Sequence, residues 1–310
     1  MKTLLVFTFG CLCATAADEP VRQITSQAMR MGGQPIPGFQ RGYLFFVDRT
    51  VVRVYPPDGL PLVAAPAVPG VADFSARGLA IDADGSLAVS IGYFTQSGRF
   101  GGGIVFLDKY GHQRNYVDTG FYTPSNLAYG EDHSLWSFGW QRDSASTSGR
   151  EDPQDYTVVR KYSPDGKEAG RYLARSLFPA GIPPGYDRWQ LLRIAVSHNA
   201  VGLVVWSGQT SCPAQWVELD LNGTLLRQAP VENCAYRFAY TADGHVYRQK
   251  QGSDQLLVLD QNTLTWKDTG ASHGVHVSLL GADGNQLVFS PDGKGPELLQ
   301  WFEQPNSPNP

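Results

Sequence analysis

Five residues that can grip an anion stand at corresponding positions of a recurring pattern, four of them just ahead of an apolar triplet: Arg77, Asn126, Arg193 and Arg237, with His276 as the fifth. A guanidinium binds carboxylate or phosphate through two parallel N–H donors, and an amide or imidazole adds a third direction. If the triplets converge on one place, these groups form a positive well at its mouth, suited to a small anionic ligand. The alternative is that each arginine pairs with a nearby acid such as Asp118, Asp187 or Glu232. A second set of groups is aromatic. Tyr93, Trp140 and Trp189, with Phe94, Phe100 and Tyr186, lie in or beside long insertions, where exposed rings could stack on sugars or hold a peptide. They could equally pack those insertions onto the body beneath.

Other chemistry is weaker. His273 and His276 form a close pair, but no third ligand stands at a spacing that zinc requires. Asp143, Glu151, Asp152 and Asp155 crowd one insertion and could hold Ca²⁺ through oxygen, or simply be solvated. Asn222-Gly223-Thr224 matches a glycosylation acceptor but also reads as a hairpin turn. No nucleophile elbow, phosphate-binding glycine loop or HExxH is present, and Gly101-Gly102-Gly103 reads as a loop. No catalytic residue and no cofactor are assigned. A divalent cation is left open.

The elements that would position these residues follow from the triplets themselves. Leu79-Ala80-Ile81, Leu127-Ala128-Tyr129, Ile194-Ala195-Val196 and Phe238-Ala239-Tyr240 recur with their alanines 48, 67 and 44 residues apart. Each is followed by a tight turn and a second apolar run. Recurrence on this scale marks an array of similar units. Asp84-Gly85, Asp165-Gly166, Asn222-Gly223, Asp243-Gly244 and Asp283-Gly284 punctuate the units as hairpin turns. The units read as about four strands each, and there are six, so the expected fold is an all-β, six-bladed β-propeller of four-stranded antiparallel blades. A small alanine on each innermost strand lets neighbouring blades approach. Strand direction alternates within a blade, so short turns gather on one face. The long insertions, with Cys212 and Cys234, gather on the other, which is the candidate functional face.

The phrase running from Ala76-Arg77-Gly78-Leu79-Ala80-Ile81 through Asp84-Gly85 to Leu87, and its echo at Pro124–Tyr129, resemble the NHL-repeat and regucalcin-like six-bladed propellers. That resemblance implies a ring fold shared by lactonases, lyases and non-enzymatic binding modules. Its lactonase branch holds a divalent cation with acidic and Asn side chains at the mouth. Only Asn126 matches that pattern here; Gly78, Arg193, Arg237 and Val277 or His276 depart from it, and arginines repel a cation.

Composition sets the remaining bounds. Of 310 residues, 42% are hydrophobic, 12% aromatic and 17% charged, with 34 glycines, which suits turn-rich β-structure. Lys2, the apolar run from Leu4 to Cys13 and Ala14-Thr15-Ala16 form a secretory leader, residues 1–16, too short to span a bilayer. Residues 17–40 form an N-terminal segment in which Val21–Thr25 closes the ring. Residues 41–303 form the propeller and 304–310 a disordered tail. The formal charge of −4 becomes −5 without Lys2, which argues against nucleic acid. Cys212 and Cys234 survive cleavage as an even pair in an exported chain. A disulfide between them would contribute about 3 kcal/mol by chain entropy. The expected protein is a secreted or periplasmic monomer that binds an anionic small molecule, a glycan or a protein. The alternative is a lactonase-like hydrolase or lyase, with His276 and the arginines polarising an oxyanion.

Overall fold

The computed structural model describes residues 22–25, 36–57, 60–71, 73–94, 100–141, 156–178, 194–206, 214–231, 236–250, 253, 255–272, 277–291 and 298–302. These residues form six four-stranded antiparallel sheets, the blades of a β-propeller. Blade 1 holds Ile36–Gln40, Tyr43–Asp48, Val51–Tyr55 and Leu62–Ala64 from the axis outward. Blade 2 holds Phe74–Ile81, Leu87–Phe94, Phe100–Leu107 and Gln113–Gly120. Blade 3 holds Tyr122–Tyr129, Leu135–Gln141, Thr157–Tyr162 and Glu168–Ala174. Blade 4 holds Ile194–Val196, Ala200–Trp206, Ala214–Asp220 and Leu225–Val231. Blade 5 holds Tyr236–Tyr240, Val246–Lys250, Gln255–Asp260 and Thr265–Ser272. Blade 6 holds Val277–Asp283, Gln286–Pro291 and Leu298–Phe302, and its outermost strand is Arg22–Thr25.

Arg22–Thr25 runs antiparallel to Leu298–Phe302, with Arg22 opposite Trp301 and Thr25 opposite Leu298. Both ends of the propeller therefore meet in one sheet. Blade 1 begins earlier than residue 41: its innermost strand is Ile36–Gln40, which carries Pro37 and Gly38 and no copy of the alanine triplet.

The four triplets all fall on innermost strands, and the alanines have the packing role their size allows. Ala80 is fully buried among Leu127, Tyr129, Leu135 and Tyr162 of blade 3. Ala239 is buried among Leu279, Leu287 and Phe289 of blade 6. Each thus fills the seam to the next blade. Polar links cross the same seams. Tyr240 of blade 5 donates to Glu218 of blade 4 at 2.9 Å, and Arg227 closes an ion pair with the same buried carboxylate at 3.1 Å. Lys161 of blade 3 donates to the Leu221 carbonyl at 3.3 Å.

The glycine run Gly101–Gly103 lies inside a strand, which corrects its reading as a loop. Rings lie over it: a Cβ at Gly101 would stand 2.6 Å from the Tyr93 ring, and one at Gly103 would stand 2.6 Å from that of Tyr116. A Cβ at Gly102 would stand 2.2 Å from the Tyr122 carbonyl oxygen, so blades 2 and 3 touch through bare backbone there. Among the described residues no helix is long and apolar enough to cross a membrane.

Candidate functional site

A cavity of about 470 Å³ runs along the propeller axis. Its wall is built from the innermost strands. Arg77, Gly78 and Asn126, midway along Phe74–Ile81 and Tyr122–Tyr129, line one end of it; Arg41, Glu131, His198 and Asp283 line the other, where the innermost strands finish. Between the rims stand apolar residues, among them Leu79, Leu127, Ile194 and Phe238.

Arg77 owes its place to a β-bulge. Ala76 faces Ile91 and Gly78 faces Ser90, so Arg77 is the extra residue with none opposite it. Ser125 is the extra residue at the same point of blade 3, between Pro124 and Asn126. Such bulges turn a strand and re-aim the side chain beside them. The Arg77 Nε lies 3.4 Å from where a Cβ of Gly92 would sit, so a bare backbone makes room for it. Gly78 is pressed against the next blade, 2.7 Å from the Ser125 carbonyl oxygen by the same measure. No larger residue fits that mouth position.

Asn126 lines the cavity beside Arg77, and its buried Nδ2 has no acceptor among the described residues. A buried donor without a partner costs about 1–3 kcal/mol, which an incoming acceptor would recover. Gln40 is the opposite case. From blade 1 it donates to the carbonyls of Leu79 at 3.3 Å and Leu127 at 3.2 Å, and accepts from the Ile81 N–H at 3.1 Å. Arg41, in the left-handed region at φ 50°, follows it and donates to the carbonyls of Tyr129 and Gly130. These two side chains fill the lower channel against blades 2 and 3 and satisfy the inner strand edges there. Sequence reasoning missed both. Their partners lie 39 to 89 residues away, so no local pattern signals them.

Of the residues expected at the mouth, the structure brings Arg77 and Asn126 together. Arg237 stands on the innermost strand of blade 5, opposite Gln249, but does not line the cavity. Arg193 and His276 lie outside the described residues, as do His273, Trp189, Cys212, Cys234 and the acids of residues 143–155. Two aromatic candidates need correction. Tyr93 is 7% exposed and donates to Asp118 at 3.1 Å; burial raises its phenol above the usual value. Trp140 is 5% exposed and stacks on Phe100 at 5.3 Å. Tyr93 packs in the core shared by blades 1 and 2 and Trp140 in the seam between blades 2 and 3, instead of facing solvent. Phe94, edge-on to Phe100, is 55% exposed at that rim.

The opposite rim has different chemistry. His133 Nδ1 stands 2.9 Å from Asp82 of blade 2, and that hydrogen bond raises the imidazole above its usual value. His198 Nδ1 stands 2.7 Å from Glu131. Among the described residues no group of three or more His, Cys, Asp or Glu converges as a metal site would.

No protein-family profile matches the chain, and no curated relative does. Solved structures do. The Pan2 WD40 domain of Neurospora crassa is 12% identical with a TM-score of 0.51, over 90% of this chain and 76% of that one. A virginiamycin B lyase from Staphylococcus aureus is 11% identical with a TM-score of 0.45, over 91% and 98%. A gluconolactonase from Xanthomonas campestris is 15% identical with a TM-score of 0.44, over 92% and 87%. At such identities the likeness is one of fold, and it is to β-propellers.

Proposed function

We propose that this chain is an exported binding module that takes an anionic ligand at the channel mouth, on the rim that carries the long insertions. One observation carries the reading: the axial cavity opens between a guanidinium re-aimed by a bulge, Arg77, and an amide donor without an acceptor, Asn126. The two groups together offer an oxyanion both charge and a directed N–H. The leader-like pattern of residues 1–16 supports export.

The test is calorimetric titration with a panel of carboxylates and phosphates, on the unaltered protein and on Arg77→Ala. A charge-assisted contact is worth about 1.5–3 kcal/mol, so the substitution is expected to weaken binding about 10- to 100-fold. An anion held equally well by both proteins would overturn the assignment.

A further inference from the structure

We infer that Gln40 is a positioning residue of the mouth site: it holds the two strands that carry Arg77 and Asn126 at the spacing an anion needs. The inference rests on the anion reading and goes beyond it by naming what sets the geometry of that site. Arg77 stands on Phe74–Ile81 and Asn126 on Tyr122–Tyr129, the innermost strands of neighbouring blades. Both strands are bulged at the mouth, where Arg77 and Ser125 are the extra residues. A bulge interrupts the ladder to the next strand outward and lets the chain bend. The ladder alone therefore fixes the direction of these side chains weakly, and their relative placement needs a second support.

Gln40 supplies it from blade 1. Its Nε2 donates to the Leu79 carbonyl at 3.3 Å and the Leu127 carbonyl at 3.2 Å, and its Oε1 accepts from the Ile81 N–H at 3.1 Å. Leu127 follows Asn126 directly, and Leu79 lies two residues beyond Arg77, about 7 Å along the strand. One amide thus ties the two strands together within a residue or two of the groups they present. Above it the strands already touch: a Cβ at Gly78 would stand 2.7 Å from the Ser125 carbonyl oxygen and 3.3 Å from the Asn126 Cα. Below it Arg41 donates to the carbonyls of Tyr129 and Gly130, on the Asn126 side alone. Gln40 is the side chain that grips both strands. Its two N–H donors are spent on backbone carbonyls, so it acts on an anion through the strands it holds. Binding groups work only when supporting residues keep them within about 0.5 Å of their productive placement.

The experiment is calorimetric titration with acetate, citrate and inorganic phosphate, well below the melting temperature, on the unaltered protein, Gln40→Met, Arg77→Ala and the double variant. Methionine matches glutamine in length and makes none of these bonds. The measurement separates two roles: lost stability lowers the number of sites per chain, whereas a loosened site raises Kd at unchanged stoichiometry. Gln40→Met is expected to raise Kd about 3- to 30-fold for whichever of the three anions the unaltered protein binds. In the Arg77→Ala background the same change is expected to raise it less than about twofold, because the spacing of two groups no longer matters once one is gone. Gln40→Asn keeps the amide but falls one methylene short of the carbonyls; it is expected to behave as Gln40→Met does and takes its place if that variant does not fold. An unchanged Kd in the folded Gln40 variants would overturn the positioning role and leave the anion reading standing. So would an equal rise in both backgrounds, or two Gln40 variants that both fail to fold, which would make the side chain a residue of the fold alone. No binding of any of the three anions by the unaltered protein would overturn the anion reading and this one with it.

Discussion

Asn126 and Gln40 carry the same amide in opposite circumstances. Gln40 Nε2 and Oε1 are engaged across three blades, whereas the Asn126 donor has no acceptor among the described residues. The two should therefore respond oppositely to removal. Gln40→Ala strands two carbonyls and one N–H and is expected to cost about 2–4 kcal/mol in chemical denaturation. Asn126→Leu removes an unsatisfied donor and is expected to leave stability equal or higher while binding is lost; a destabilised Asn126→Leu would mean the amide serves the fold. The turn carboxylates give a pH dependence. Asp84 is held below the usual carboxylate value by the Ser86 N–H, Asp220 by the Thr224 N–H, and Asp165 is lowered to about 2 by the Ser163 hydroxyl. A folded-state value below the unfolded one stabilises above the unfolded value of about 4 and is lost as pH falls. Melting temperature is thus expected to drop between about pH 4 and pH 2, and Asp165→Asn is expected to flatten that drop. His133 has the reverse sign: its raised value contributes below about pH 6.5 and is lost as pH rises through it. The Asp-Gly and Asn-Gly dipeptides made these turns readable in advance, because Gly85, Gly166, Gly223 and Gly244 take the positive φ that such turns demand. The amide network was not readable, because each of its bonds joins residues some forty or more apart.

Among the strands, the alanine triplets could be read because the same steric demand recurs at each seam. The innermost strand of blade 1 could not: it packs Phe39 with Leu280 and Val288, and its Gly38 lies under the Phe45 ring, so it meets the demand without the triplet. Bulges were also hidden, since an extra residue leaves no mark on an apolar alternation. Arg77 therefore looked like one mouth residue among five, when its strand geometry sets it apart. Two substitutions test the seams. Gly78→Ala puts a methyl against the Ser125 carbonyl, a backbone atom that cannot swing aside. Ala128→Leu forces extra volume into the core shared by blades 3 and 4. Each is expected to lower unfolding free energy by about 1–3 kcal/mol, measured by denaturant titration. Full stability in both would show that the blades slide to accommodate volume.

At the scale of the ring, the antiparallel pairing of Arg22–Thr25 with Leu298–Phe302 completes the sixth blade. Removing residues 1–25 takes away that partner and leaves the last strand with an open edge, which is a template for pairing with other chains. The truncated protein is expected to melt at lower temperature and to associate in light scattering; an unchanged monomer would mean that the ring holds without its clasp.

That clasp also sets a clock. Leu298–Phe302 is the last of the strands to be synthesised and Arg22–Thr25 the first. At a ribosome's roughly 5–20 residues per second, the early strand waits on the order of 15–60 s for its mate. Throughout that interval the ring stays unsealed, its first-made strand without a mate.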